Sequence, residues 1–118
     1  MKGLQNISVC HKLLKRNGKI LFKKFRASGD EHFKLSIFLD GEIAQVESVD
    51  YELHRSFKNP LRKVDNKKTN FELVIWTWGE FDIGVIIHFK DGSLEETVYT
   101  LKYLDELVAE SNAYIDVS

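Results

Sequence analysis

From residue 34 onward, apolar side chains recur at every second position, and that period constrains the fold more than any other property of the chain. Leu35, Ile37 and Leu39 alternate up to Asp40-Gly41, which reads as a turn. Val49, Tyr51 and Leu53 alternate with the acids Asp50 and Glu52. Phe71, Leu73 and Ile75 make a third row. Phe81, Ile83, Val85, Ile87 and Phe89 make a fourth and longest, and Tyr99, Leu101 and Tyr103 a fifth. Successive strand side chains point to opposite faces, so each row predicts a strand with one face buried. Between the last two rows, Asp91-Gly92 predicts a tight hairpin through a type I′ turn, whose two central residues both need φ > 0. Residues 58–69 are polar and contain Pro60 and Asp65-Asn66, which predicts a long connection.

The ends carry weaker signals. Asn17-Gly18 fits the turn of a hairpin between residues 7–15 and 19–26, although Leu4, Ile7 and Leu14 also fit a helical stripe that Gly18 would end. The hairpin is the preferred reading. Residues 104–112 predict a short helix, with Leu107 and Val108 inward and Asp105 and Glu106 near its start. Many short strands with turns between them, and no alternation of strand with helix, predict an all-β, antiparallel β-sandwich. The Cys–Trp–Cys pattern of disulfide-linked immunoglobulin domains is absent, so an immunoglobulin-like topology here rests on packing alone.

A chain of 118 residues, 43% of them apolar, is long enough to bury a core as one unit. Its one cysteine, Cys10, forms no internal disulfide and suits a reducing compartment. No apolar run approaches a membrane span, and the basic N-terminus lacks the apolar stretch of a signal peptide, so a cytoplasmic location is expected. Charge is unevenly spread. Residues 1–30 hold eight Lys/Arg and one acid (+7), while residues 31–118 hold nine Lys/Arg and seventeen acids (−8). This divides the chain into a basic N-terminal arm or hairpin, 1–30, and a sandwich, 31–118. Such an arm folds against the acidic body, reaches an anionic partner such as nucleic acid, or is simply a solvated flank.

The chemistry-bearing residues gather in two segments, His54-Arg55-Ser56-Phe57-Lys58-Asn59-Pro60 and Thr77-Trp78-Gly79-Glu80-Phe81. Each puts an aromatic and a small polar residue where a strand gives way to a turn, the usual seat of binding loops. If the turns meet, Phe57 and Trp78 enclose a slot for a flat, apolar, amide-containing group. Rings at strand ends also serve as core lids, and spacing alone leaves both readings open. Trp76 shares a strand face with Trp78 in a regular strand, as core or as a second wall. Aromatic walls also suit a methylated ammonium, with Glu80 as counter-charge. Two walls and a serine favour the amide.

Enzymatic readings find less support. Cys10 and His11 are adjacent, so their side chains diverge on a strand. Ser56 and His54 form a faint dyad without an evident orienting acid. His11, His32, His54 and His88 lack metal-ligand spacing, and no glycine-rich phosphate loop is present. A non-enzyme with no cofactor and no metal is therefore expected. A nucleic-acid reading rests on the basic arm with Arg62, Lys63, Lys67 and Lys68, and on Phe22 and Phe25 as stacking groups.

Taken together, VDYELH leading into His54-x-Ser56-Phe57-x-x-Pro60, then TNFELVIWTWGEF, then HFKDGS resemble a YEATS domain from about Phe33 to Leu104, more its prokaryotic branch than the eukaryotic chromatin readers. The resemblance implies an immunoglobulin-like β-sandwich and a recognition module for acylated lysine. It implies Phe57 and Trp78 as walls, Ser56 as hydrogen-bond partner of the amide, and the Trp78 backbone N–H reaching the acyl carbonyl, with Gly79 permitting close approach. His54, Phe81 and Glu80 take supporting places. The acidic residue near the last strand of some readers falls here at Lys102-Tyr103 and has no match, and Phe33 is the candidate for the aromatic that precedes the first core strand.

Overall fold

A computed structural model describes residues 6–24, 31–77, 79–103 and 114–116, and in it the alternating rows become the inner faces of two packed sheets. The strands are β1 (Ile7–Leu13), β2 (Lys15–Arg16), β3 (Lys19–Lys24), β4 (Glu31–Gly41), β5 (Val46–Glu52), β6 (Leu61–Val64), β7 (Leu73–Thr77), β8 (Phe81–Phe89), β9 (Leu94–Leu101) and β10 (Tyr114–Asp116). The first sheet is built on β4. One edge of β4 pairs with β1, from Ile7↔Gly41 to Leu13↔Leu35, and then with β3, from Phe22↔Phe33 to Lys24↔Glu31. Its other edge pairs with β7, from Phe33↔Thr77 to Ile37↔Leu73. β2 and β10 attach to β3, β10 in parallel. The second sheet is antiparallel throughout, in the order β6-β5-β8-β9. The architecture is an all-β, immunoglobulin-like sandwich.

Leu35, Ile37 and Leu39 of the first sheet pack against Val49, Tyr51, Ile83, Val85, Ile87 and Leu101 of the second, all fully buried. The Tyr51 hydroxyl crosses between the layers and donates to the Phe71 carbonyl at 2.7 Å. That bond pins a bend in which both Asn70 and Phe71 have φ of +57°. Tyr51 and Tyr103 are core, each with its hydroxyl bonded, whereas Tyr99 is half-buried. Among the described residues, no helix is long and apolar enough to cross a membrane.

Several turns differ from expectation. Asn17 and Gly18 do have φ of +53° and +76°, the mirror-image turn that joins β2 to β3. At Asp91-Gly92 only Gly92 is left-handed, with φ of +90°. The Gly92 N–H bonds to the Phe89 carbonyl at 3.0 Å and the Phe89 N–H to the Ser93 carbonyl at 2.9 Å, a three-residue loop rather than a two-residue one. Asp91 instead turns its carboxylate onto the Ser93 N–H at 2.9 Å. Asp40-Gly41 is no turn: it completes β4, and the chain reverses at residues 43–46. Residues 58–69 hold the edge strand β6 and a 3-10 turn at Lys67–Thr69. β6 was hidden because an edge strand carries charge and only one clear inward residue, Val64. The helix expected at 104–112 lies outside the described residues.

Candidate functional site

The two marked segments meet because of one pairing. β5 and β8 run antiparallel with Glu52 opposite Gly84, so the chain leaving β5 passes beside the start of β8. Past β5, the Leu53 N–H bonds to the Pro60 carbonyl at 2.8 Å and closes the loop 54–59. The Phe57 N–H reaches the His54 carbonyl at 2.9 Å, making residues 54–57 a β-turn. Asn59 takes the left-handed conformation with φ of +52°, which asparagine tolerates. The Arg62 guanidinium donates to the Lys58 carbonyl at 2.8 Å and to that of Asn59, clamping the loop from outside. Inside it, Nδ1 of His54 accepts the Ser56 backbone N–H at 3.1 Å and lies 2.8 Å from the Ser56 hydroxyl.

The facing loop is held differently. Thr77, buried at the end of β7, donates its hydroxyl to the Gly79 carbonyl at 3.0 Å. Glu80 accepts the Tyr103 backbone N–H at 2.8 Å. The Tyr103 hydroxyl donates to the Thr77 carbonyl at 3.3 Å. Tyr103 is fully buried; desolvation pushes its phenol up to about 12, a side-chain interaction with the Thr77 hydroxyl opposes the rise, and the Glu80 carboxylate adds to it.

Between the loops lies a groove of about 200 Å³, lined by His54, Ser56, Phe57, Thr77, Gly79, Glu80 and Phe81. Phe81 is its floor. The ring meets Phe57 at 5.2 Å between centroids, tilted by 44°, and His54 at 6.4 Å, edge to face. The described lining thus offers aromatic faces, the hydroxyls of Ser56 and Thr77, a histidine and one carboxylate, and it contains no lysine or arginine.

Six of the seven residues singled out in the sequence therefore share one groove, and the seventh, Trp78, lies outside the described residues. Thr77 and Tyr103, which anchor the second loop, had been given no role. Thr77 carried a signal, being a polar residue in the inward row of Leu73 and Ile75. Tyr103 carried none, since its tie to Glu80 spans β8 and β9. Trp76 is neither core nor groove lining: it faces outward from the first sheet, with the ammonium groups of Lys23 and Lys34 at 4.5 and 5.6 Å from its ring.

Cys10 and His11 do not assemble into a nucleophilic pair. Cys10 pairs across from Phe38 on the outer face, whereas His11 reaches the Tyr99 hydroxyl. Burial, with the Asp40 carboxylate adding, pushes the Cys10 thiol up, away from the nucleophilic thiolate. The Lys67 ammonium donates to the Ala44 carbonyl at 2.8 Å, and Phe22 packs on Phe33 at 6.4 Å. Phe25 lies outside the described residues.

A model of the prokaryotic YEATS domain matches residues 33–102, more than half of the chain. The chain belongs to this family. The AF-9 homolog protein of Eremothecium gossypii is 41% identical to it over 51 residues, which cover 43% of this chain and 24% of the relative. Subunit 14 of transcription initiation factor TFIID from Schizosaccharomyces pombe is 39% identical over 46 residues, covering 39% of this chain and 18% of that protein. The match thus spans less than a quarter of either relative's length. Among solved structures, the Yaf9 YEATS domain recognising a succinylated histone H3 peptide superposes with a TM-score of 0.61 at 21% identity, covering 85% of this chain and 72% of that one. The same domain bound to an acetylated histone H3 peptide gives 0.57 at 22%, covering 81% and 68%. At such identity the likeness is one of fold.

Proposed function

We propose that this YEATS domain is a non-enzymatic, cytoplasmic recognition module that holds an acylated lysine, or a similar flat amide, in the groove between residues 54–57 and 77–81. One observation carries the reading: two loops distant in sequence converge on a groove with an aromatic floor, an aromatic wall and the Ser56 hydroxyl, and without lysine or arginine among the described lining. Burying an unmodified ammonium there costs several kcal/mol, roughly, whereas acylation removes the charge and adds apolar area. The acyl amide slides between Phe57 and Trp78 and keeps its polar edges in plane. Ser56 takes the amide N–H, and the Trp78 backbone N–H takes the acyl carbonyl. A Cβ added at Gly79 would meet nothing within 4 Å beyond its chain neighbours, so the space above it is open to a ligand. The Yaf9 YEATS domain, captured with a succinylated and with an acetylated histone peptide, supports this ligand class.

Catalysis is not part of the proposal. Ser56 lies within reach of His54, but no described carboxylate bonds to the ring to orient it.

The test is a titration with one lysine peptide in unmodified, trimethylated, acetylated and crotonylated forms, followed by protein NMR. The acyl forms are expected to bind at about 10–100 μM, the planar crotonyl form most tightly, with little dependence on salt. The other two forms are expected to be at least about tenfold weaker, a difference of about 1.4 kcal/mol. No acyl binding at millimolar peptide, or equal binding of all four, overturns the reading.

A further inference from the structure

The groove leaves the uneven charge of the chain unexplained. The topology places most of the basic N-terminal strands in the first sheet and the acidic strands in the second. Register then fixes what each outer face shows. On the second sheet, Leu61, Glu52, Gly84 and Val98 form one cross-strand row. The next row places Asp50 and Glu96 either side of Ile86, with Lys63 at the edge. Leu61, Val98 and Leu94 are 60%, 64% and 51% exposed. Gly84, without a side chain, leaves a hollow of about 440 Å³ rimmed by Glu52, Glu96 and Val98. The face is apolar at its edges and acidic between them.

The outer face of the first sheet is its complement. Lys12, Lys23 and Lys34 stand on β1, β3 and β4, outnumbering the acids Asp40 and Glu72. Their ammonium groups are held over rings, Lys12 over Phe38 at 5.5 Å and the other two over Trp76. Val74, 40% exposed, lies beside them. The acidic second face repels a copy of itself and is drawn instead to the lysines of the first. The net charge of −1 gives no long-range repulsion to prevent contact.

We propose that copies of this chain stack head to tail, the outer face of the second sheet of one molecule on the outer face of the first sheet of the next. The contact is heterologous, so it extends into short open stacks rather than closing into a dimer. Four strands about 4.8 Å apart make a small patch, at the low end of stable interfaces, so the association is weak.

The test measures mass by sedimentation velocity from micromolar to about 1 mM protein, at low salt and at about 0.5 M salt, where screening is nearly complete. At low salt the mean mass should rise with concentration to at least about twice that of one chain, and high salt should return it to one chain. A single-chain mass under all conditions overturns the proposal. Lys12→Glu with Lys34→Glu reverses one face, and Glu52→Lys with Glu96→Lys the other. Each variant, its fold checked by circular dichroism, should remain a single chain alone, and an equimolar mixture of the two should associate again. Self-association surviving in either variant, or a mixture that stays monomeric, also overturns it.

Discussion

His54 accepts two donors from Ser56 on one ring nitrogen, the backbone N–H at 3.1 Å and the hydroxyl at 2.8 Å. An N–H only donates, so Nδ1 carries the lone pair and the ring proton sits on Nε2. The serine hydroxyl then spends its proton on the ring and turns its lone pairs to the groove, as acceptor for a ligand N–H. Ser56→Ala should weaken an acyl-lysine peptide about fivefold to tenfold, the worth of one hydrogen bond of about 1 kcal/mol. His54→Ala should cost less. Calorimetric titration of the double variant should give nearly the loss of Ser56→Ala alone, since both act through one hydroxyl. Full additivity would refute the coupling.

Phe57 and Phe81 share a contact but not a role. Phe81 opens β8 and touches both Phe57 and His54, so it supports the groove from below. Phe81→Ala is expected to cost about 2–3 kcal/mol of stability, below the range for a fully buried ring because Phe81 is only half-buried. It should also weaken peptide binding. Phe57→Ala should cost about half that stability yet abolish measurable binding, because a wall is lost. Urea unfolding beside peptide titration separates the two.

What the sequence showed and hid follows from the range of each signal. Rows such as Ile83, Val85 and Ile87 are visible because burial on one face imposes a period of two. The groove residues were visible as two strand-end segments. Their convergence was not, because the pairing of Glu52 with Gly84 joins positions 32 residues apart and leaves no local trace. β6 was hidden by its basic residues, and the Asp91 turn by a carboxylate bond that no dipeptide rule anticipates. Trp76 is neither core nor wall because it alternates with Ile75 and Thr77, which take the buried face of β7.

Alkali should unfold the chain by way of its buried tyrosines. The Tyr103 phenol stands at about 12 in the fold against 10.0 for a free tyrosine, and Tyr51 is raised further by burial. The folded chain therefore keeps protons that the unfolded chain gives up. The stabilisation is complete below about pH 10 and is lost as pH climbs through 12, at about 1.4 kcal/mol per pH unit for each phenol. Tyr103→Phe should flatten that decline by roughly half. Urea unfolding at several alkaline pH values measures the slope, and an unchanged slope would contradict this.

Gly41 closes β4 where no side chain fits. Its φ is +108°, and a Cβ there would lie 1.9 Å from the Asn6 carbonyl oxygen, the acceptor of the Glu42 N–H at 2.8 Å. Gly41→Ala must push apart two backbone segments, so a loss of about 3 kcal/mol or more is expected. Gly18→Ala meets nothing within 4 Å and should cost only about 1 kcal/mol through its positive φ. Thermal melts of both variants compare a clash with simple backbone preference.

The carboxylate of Glu80 ties the second binding loop to the chain beyond β9 through the Tyr103 N–H, 2.8 Å away. The tie spans 23 residues and fixes one carboxylate oxygen of Glu80. If its work is positional, the charge matters less than the acceptor. Glu80→Gln keeps a carbonyl oxygen in the same place and should leave peptide affinity within about twofold, a few tenths of a kcal/mol. Glu80→Ala leaves the buried-side N–H without its partner, and the loop gains freedom that binding must then remove. A loss of about fivefold in affinity is expected, with faster amide exchange at Gly79 and Tyr103 and a smaller change in overall stability. If instead Glu80 served as counter-charge to a cationic ligand, Glu80→Gln and Glu80→Ala would weaken binding alike, and a trimethyl-lysine peptide would lose more than a crotonyl-lysine one.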